Sequence, residues 1–162
     1  MSVTDLAGIQ QLAMRQFIDN MMDASHHPAF NRYRQLLQSW IENPYFISQL
    51  GIESQQTTLT TLVESIPAQM VSGVTLSTMH DCPPDEIEAI CRYILQDKKL
   101  NTFVKLNPTL LVYQRVIAIL DNCGFDYIGL KEASFQHDLK LEQALAMLRR
   151  LMTLASEKQI GF

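Results

Sequence analysis

Apolar side chains recur at three- and four-residue intervals along most of this 162-residue chain, a spacing typical of amphipathic α-helices. The first run begins after Thr4, a good N-cap residue, and continues to Met21. A second run follows Pro28, and a short third run follows the Asn-Pro pair at 43–44 and ends at Gly51. Because proline fits the first turn of a helix and glycine its C-terminal end, the pattern predicts separate helices here.

Helical periodicity continues over 57–66 and through most of the second half of the chain. The strongest helix start is the Pro-Pro-Asp-Glu stretch at 83–86, where carboxylates stand beside unpaired amides. Its expected buried face is Ile87, Ile90, Cys91, Ile94 and Leu95. Another helix is expected from the Asn-Pro pair at 107–108 to Gly124, and a long last one from about Leu139 to Glu157. The stripe of the last helix is Leu141, Leu145, Leu148, Met152 and Ala155.

The segment from Val71 to Met79 is the one stretch whose pattern is ambiguous. It alternates somewhat like a strand, but a continuing helix or a loop fits equally well, so the conformation of 67–80 stays open. The chain as a whole predicts an all-α fold, with about six to seven helices in one compact domain over 1–162. Its C-terminal part, from Thr109 to Glu157, has the order of a helix-turn-helix.

Composition supports a folded core, since 47% of the residues are hydrophobic and 19% are charged. No apolar run approaches the ~18 to 20 residues of a membrane span, and the N-terminus lacks the pattern of a secretory signal. The three cysteines are far apart, which favours a reducing compartment over a disulfide framework. These features predict a cytoplasmic protein without membrane contact.

Charge is unevenly distributed along the sequence. The stretch 35–91 contains seven acidic residues and neither Lys nor Arg, whereas 92–162 contains ten basic and seven acidic residues. An acidic middle is a poor surface for nucleic acid, because phosphate binding needs cations. The mildly basic C-terminal part leaves a nucleic-acid role open without arguing for it.

Candidate catalytic chemistry is sparse. Cys82 near His80, at a helix N-terminus, is the one thiol with a neighbouring base, but its place beside a helix start explains it without catalysis. The cysteines and histidines lack the paired spacing of a zinc site, and no glycine-rich nucleotide loop occurs. We therefore expect no catalytic residue, no cofactor and no metal, and an enzyme that uses the Cys/His pair is the least favoured alternative.

Aromatic residues concentrate near the N-terminus, where six of the thirteen lie within the first 46 residues. Methionines among them are of the adaptable kind that protein-binding surfaces use. The candidate protein interface comprises Met21, Met22, Phe30, Tyr33 and Trp40. The leading hypothesis is a non-enzymatic regulatory or adaptor protein that contacts an unidentified protein partner and forms a homo-oligomer.

A transcription regulator is the second hypothesis, through the helix order from Thr109 to Glu157. The candidate DNA contacts are Lys131, Lys140, Arg149 and Arg150. The expected recognition helix begins with one cation and one carboxylate, which is poorly suited to reading bases or binding phosphates. A three-helix packing unit without DNA contact is therefore the favoured interpretation of this region.

Two stretches of the chain resemble FlhD, the helical subunit of the flagellar master activator. The first contains Leu-Gly-Ile at 50–52, Thr-Thr-Leu at 57–59 and Pro-Ala-Gln-Met-Val at 67–71. The second is 81–95, where acidic and aliphatic residues follow an Asp-x3-Asp-acidic-aliphatic-x2-Ile-x3-Ile-Leu pattern. The resemblance, confined to 50–95, implies a dimeric transcription co-regulator that contacts DNA together with a partner subunit, and it implies no catalytic residues.

Overall fold

The computed structural model describes residues 5–77 and 82–162, and most of them are helical. The helices are α1 (Leu6–Ile9), α2 (Leu12–Met22), α3 (Pro28–Glu42), α4 (Pro44–Leu50), α5 (Gln56–Ser65), α6 (Pro84–Tyr93), α7 (Tyr113–Asn122), α8 (Ala133–His137) and α9 (Leu141–Lys158). Short 3-10 turns cover Glu53–Gln55 and Pro108–Leu110, and a π-helical turn at Ile94–Lys98 extends α6. Two strands, β1 (Gly73–Ser77) and β2 (Asn101–Lys105), form a parallel pair, which corrects the all-α expectation.

Capping residues set some helix boundaries where the sequence predicts them, but the helix expected from the Asn-Pro pair at 107–108 begins only at Tyr113. Asn43 Oδ1 accepts hydrogen bonds from the amides of Tyr45 and Phe46 at the start of α4, and Gly51 ends it with φ +64°. The first helix is different, because Asp5 caps the single turn of α1 and this helix ends before α2 begins. The prediction of one continuous helix to Met21 is therefore wrong.

The chain divides into two compact units, one made of residues 1–15 and 73–162 and the other of 16–72. The expectation of a single domain over 1–162 stays a prediction. None of the helices in the described ranges is long and apolar enough to cross a membrane.

The unit of residues 16–72 is helical. Its α3 packs against α4 and α5, and the side-chain amide of Gln56 donates from Nε2 to the Ile41 carbonyl at 2.8 Å. The segment that follows α5 returns to the end of α2, where the Met70 and Val71 amides donate to the Met21 carbonyl and the Ala24 amide donates to the Ala68 carbonyl. These backbone hydrogen bonds hold the segment 66–71 beside α2.

The other unit is built around a β1–α6–β2 crossover, the usual connection between parallel strands. The register pairs Gly73 with Asn101 and Ser77 with Lys105. Helix α6 packs against α9 over one apolar core. The buried residues of this core are Ile87, Cys91, Leu95, Met147, Leu151, Leu154 and Ala155. All five predicted inward positions of the α6 region are buried, as the 3.6-residue spacing indicates.

Strand β2 lies in a segment to which the sequence interpretation assigned no element. It is only five residues long, between a helix with lysines at its end and an Asn-Pro helix start. Its alternation is nevertheless present, because Thr102 and Val104 face the core while Phe103 and Lys105 are exposed. The Thr102 hydroxyl donates to the Leu100 carbonyl at 2.9 Å, which satisfies this buried polar group. Strand β1 resolves the ambiguity over 73–77, and 78–81 lie outside the described residues.

Helix α9 buries a stripe that matches the predicted one only in part. Its buried residues are Ala144, Met147, Leu151, Leu154 and Ala155. Of the predicted stripe, Ala155 is buried and Leu148 packs against the core, whereas Leu141, Leu145 and Met152 are exposed. Apolar residues lie on adjoining faces of this helix, so its periodicity alone permits two orientations. Packing against α6 selects one, and the Arg150 guanidinium donates to both carboxylate oxygens of Glu88 across that contact, which lowers the pKa of Glu88.

Candidate functional site

Two polar side chains lie side by side where the parallel strands end. Ser77 and Lys105 are the last residues of β1 and β2, they are paired in the register, and both are exposed. Carboxyl ends of parallel strands meet at one edge of a sheet, and ligands of α/β proteins commonly bind there. This edge is therefore the candidate functional site of the unit.

The loop after β2 adds further polar groups to that edge. Asn107 starts the 3-10 turn Pro108–Leu110, and within this turn the Thr109 hydroxyl donates to Asp138 Oδ2 at 2.6 Å. Asp138 is only 7% exposed, and a hydrogen bond to its carboxylate is of the strong, charge-assisted kind. Asp138 stands between α8 and α9, so this hydrogen bond fixes the loop to the chain segment before α9. We call Ser77, Lys105, Asn107, Thr109 and Asp138 the strand-end cluster.

Two cavities lie beside the loop after β2, and Thr109 lines both, whereas Ser77 and Lys105 line neither. The smaller has a volume of about 10 Å³, near the size of one water molecule, and Asn107 and Asp138 also line it. The larger is a mostly apolar groove of about 540 Å³, which we call the Thr109 groove. It is lined by Pro108, Thr109, Leu111, Val116, Ile119, Leu120, Ile128, Leu130, Lys131, Ser134 and Phe135. Its volume lies within the range of small-molecule sites.

The strand-end cluster is rich in hydrogen-bond donors. Lys105 carries an ammonium group, Ser77 a hydroxyl and Asn107 an amide, while the Asp138 carboxylate already accepts from Thr109. Such a set suits a ligand that presents negatively charged or carbonyl oxygens. The sequence interpretation missed these residues. The signal that could have found them is a polar residue at the end of a stretch with strand-like alternation.

The predicted nucleophile does not have the environment that a reactive thiol requires. Cys82 is half-buried, and burial, together with the charge of Glu86, raises its pKa. A raised pKa keeps the sulfur as a thiol, the less nucleophilic form. His80, its expected base, lies outside the described residues. Burial raises the pKa of Cys91 to about 12, so that thiol is still less reactive. No group of three or more metal-ligating side chains comes together in the described ranges.

The predicted interface residues are only partly brought together. Met21, Phe30 and Tyr33 line one groove in the unit of residues 16–72, whereas Met22 is half-buried and does not line it. Trp40 is exposed elsewhere on α3 and packs against Phe46, with 5.9 Å between ring centroids. Contact with a protein partner and homo-oligomer formation stay predictions.

The predicted DNA-contacting cations do not form one surface available to phosphates. Lys131 lines the Thr109 groove, and the Lys140 ammonium donates to the Phe135 carbonyl. Arg150 is paired with Glu88, and Arg149 is exposed on α9. Two of the four cations are thus already paired within the chain.

Comparisons with known proteins identify the kind of protein to which this sequence is similar. The sequence model of the family described as "Oxidoreductase YgfK, N-terminal TIM-barrel domain" matches residues 1–162. Two proteins named "Putative oxidoreductase YgfK", from Escherichia coli strain K12 and from Escherichia coli O157:H7, are each 62% identical over 158 residues. The match covers 98% of this chain and 15% of each relative. No solved structure matches significantly.

These matches overturn three predictions made from the sequence. The relatives are named as oxidoreductases, so the predictions of a non-enzymatic adaptor and of a transcription regulator are wrong. The resemblance to FlhD is also wrong, because aliphatic residues at helical spacing produce such matches without common ancestry. The family is described as a TIM-barrel domain, which agrees with the β1–α6–β2 crossover. The all-α prediction is confirmed only in part, because most of the described residues are helical but two strands pair.

Proposed function

This chain belongs to the family of YgfK N-terminal TIM-barrel domains, and we propose that it contributes the strand-end cluster to an oxidoreductase active site. The observation that carries the proposal is the pairing of Ser77 with Lys105 at the carboxyl ends of two parallel strands. In TIM barrels the active site is built at that end of the strands, from residues at the strand ends and the loops that follow.

The exposed face of the sheet supports this proposal. Leu76 and Val104 pack against the helical core, whereas Phe103 is on the opposite face and 64% exposed. Parallel sheets normally have both faces covered, and the inner face of a TIM barrel is filled by side chains from its other strands. An exposed phenylalanine at the centre of β2 fits a position inside a barrel.

The chain beyond α9 supports it as well. The Thr102 amide donates to the Gly161 carbonyl at 2.9 Å, and the Gly161 amide donates to Asn101 Oδ1 at 2.8 Å. These bonds hold the backbone at Gly161 against β2, which also pairs with β1. A strand, a helix, a second strand and further helices precede this segment, an alternation of strands and helices that is typical of a barrel.

Within such a site, the cluster has a binding role. Hydride and electron transfer are carried by a cofactor or metal, while the protein supplies binding, orientation and electrostatics. The Lys105 ammonium would hold and stabilise negative charge on an oxygen of the substrate or redox group, assisted by the Ser77 hydroxyl. The hydrogen bond from Thr109 to the buried Asp138 would keep the loop in place.

A lysine substitution tests this role. The readout is reduction of a tetrazolium dye by the purified protein, with NADH and NADPH as electron donors in separate reactions. Lys105→Met is expected to lower kcat/KM by about a hundredfold, because a preorganised donor is lost, and Lys105→Arg to restore part of it. Lys158→Met, which removes an exposed cation from the end of α9, is the matched control and is expected to leave kcat/KM unchanged.

Two outcomes would contradict the proposal. Equal kcat/KM for Lys105→Met and the unmodified protein would remove Lys105 from the active site. An equal loss in Lys105→Met and Lys158→Met would show that net charge, rather than a group at the strand ends, determines the rate.

A further inference from the structure

The unit of residues 16–72 contains an apolar groove that the proposed oxidoreductase site does not use. It lies between α2, α3 and the segment 66–70, and its volume is about 430 Å³. Its apolar lining consists of Phe17, Met21, Ala24, Ala29, Phe30, Tyr33, Leu37, Ile66 and Met70. We call it the α2–α3 groove. Its volume and composition match those of small-molecule sites, which are mostly apolar with a few placed polar groups.

Small side chains give this groove its depth. Ala24 is buried, Ala29 is half-buried, and the side chains around them are large. At the rim, Phe17 is 60% exposed, and Met70 is also exposed. A ligand that covers such apolar surface removes it from water, which favours binding. The groove is therefore shaped to receive an apolar body of limited size.

The polar groups of the groove favour an anion. They come from Asn20, His27, Arg34 and the Tyr33 hydroxyl, and none of the described residues that line the groove is acidic. His27 Nδ1 accepts a hydrogen bond from the Ala29 amide, so in the neutral ring the proton is on Nε2, which is then a donor. The Arg34 guanidinium has five N–H donors, and one of them donates to the Glu64 carbonyl, which anchors the group at the end of α5.

From this combination we infer that the α2–α3 groove binds a small apolar molecule that carries one anionic group, such as a carboxylate or sulfonate. The apolar body occupies the space above Ala24 and Ala29, and the anion pairs with Arg34. A small molecule fits better than a protein surface, because Met22 and Trp40 do not line the groove and the lining encloses only about 430 Å³.

The test compares two fluorescent probes that share one aromatic body. The anionic probe is 1-anilinonaphthalene-8-sulfonate, and the neutral probe is N-phenyl-1-naphthylamine, which lacks the sulfonate. Fluorescence titration of the chain is expected to show binding of the anionic probe that substitutions in the α2–α3 groove weaken. Ala29→Leu fills the groove and is expected to weaken both probes at least about tenfold. Arg34→Gln is expected to weaken the anionic probe about fivefold or more, and the neutral probe less than about twofold.

Matched substitutions away from the groove serve as controls. Gln35→Leu adds a leucine at an exposed position of α3 that does not line the groove, and Arg149→Gln removes an exposed cation from α9. Both are expected to leave the two affinities unchanged. Circular dichroism and thermal unfolding compare the fold of every variant. If Ala29→Leu unfolds, the comparison of the two probe affinities in Arg34→Gln still tests the inference.

Three results would overturn the inference. The first is anionic-probe affinity that neither Ala29→Leu nor Arg34→Gln changes. The second is an equal loss of both probes in Arg34→Gln, which would show that the cation does not pair with the anion. The third is a dimer of the unmodified chain in light scattering that binds neither probe, together with a monomer of the Ala29→Leu variant. That result would make the groove a contact between copies.

Discussion

At the scale of single residues, the three thiols differ in their access to solvent. Cys123 is exposed, Cys82 is half-buried, and Cys91 is 0% exposed within the core. Burial raises the pKa of Cys82 and raises that of Cys91 to about 12. Because the thiolate is the reactive form, the raised pKa values slow reaction at Cys82 and Cys91, and accessibility favours reaction at Cys123.

Alkylation measures this difference directly. With iodoacetamide at pH 8, Cys123 is expected to be modified first, Cys82 more slowly, and Cys91 only on unfolding. Mass spectrometry of proteolytic fragments over time gives the three rates. Modification of Cys82 before Cys123 would contradict the assigned environments and would revive a nucleophilic thiol beside the strand-end cluster.

The pKa of Cys91 also predicts a pH dependence of stability. Its value is about 12 in the folded chain against an ordinary 9.0, so above pH 9 the unfolded state loses this proton first. The contribution of the protonated Cys91 thiol to the free energy of unfolding is therefore complete below pH 9 and is lost as the pH rises towards 12. In urea unfolding at pH 8 and pH 10, Cys91→Val is expected to lose less stability between the two pH values than the unmodified chain. Equal losses would contradict this assignment.

At the scale of elements, the contact between α6 and α9 depends on which face of α9 is buried. Leu151 is 0% exposed in the core, whereas Leu145 is 43% exposed on a neighbouring face. Leu151→Ala is expected to lower the free energy of unfolding by about 2–5 kcal/mol, since it leaves a cavity. Leu145→Ala, the matched control, is expected to change it by about 0.5 kcal/mol or less. Urea unfolding measures both, and the reverse order would favour the stripe predicted from the sequence.

Local signals explain why most helices of this chain were predictable and the sheet was not. Asn43, Pro44 and Gly51 specify α4 through hydrogen bonds and dihedral angles that involve only near neighbours. Strand β2 has no such local support, because its partners are β1 and Gly161, which are distant in sequence. The strand-end cluster was missed for the same reason, since Ser77 and Lys105 meet only through the strand pairing.

At the scale of the whole molecule, the proposed site gives the sheet a functional end and a structural end. Ser77 and Lys105 are at the carboxyl end, where the proposed site lies. Gly73 and Asn101 are at the other end, where a Cβ on Gly73 would come within 3.0 Å of the Asn101 carbonyl oxygen. Residues at the amino end of barrel strands serve stability, and those at the carboxyl end serve chemistry. The two ends of β2 are therefore expected to respond differently to substitution.

The most direct measurement compares Lys105→Met and Asn101→Ala, at opposite ends of the same strand, for both dye-reduction activity and stability. Asn101 Oδ1 accepts from the Gly161 amide, so Asn101→Ala is expected to lower the free energy of unfolding by about 1 kcal/mol and to leave kcat/KM unchanged. Lys105→Met is expected to lower kcat/KM by about a hundredfold and to change stability by less than about 0.5 kcal/mol. Activity lost in Asn101→Ala and retained in Lys105→Met would contradict an active site at the carboxyl ends of the strands.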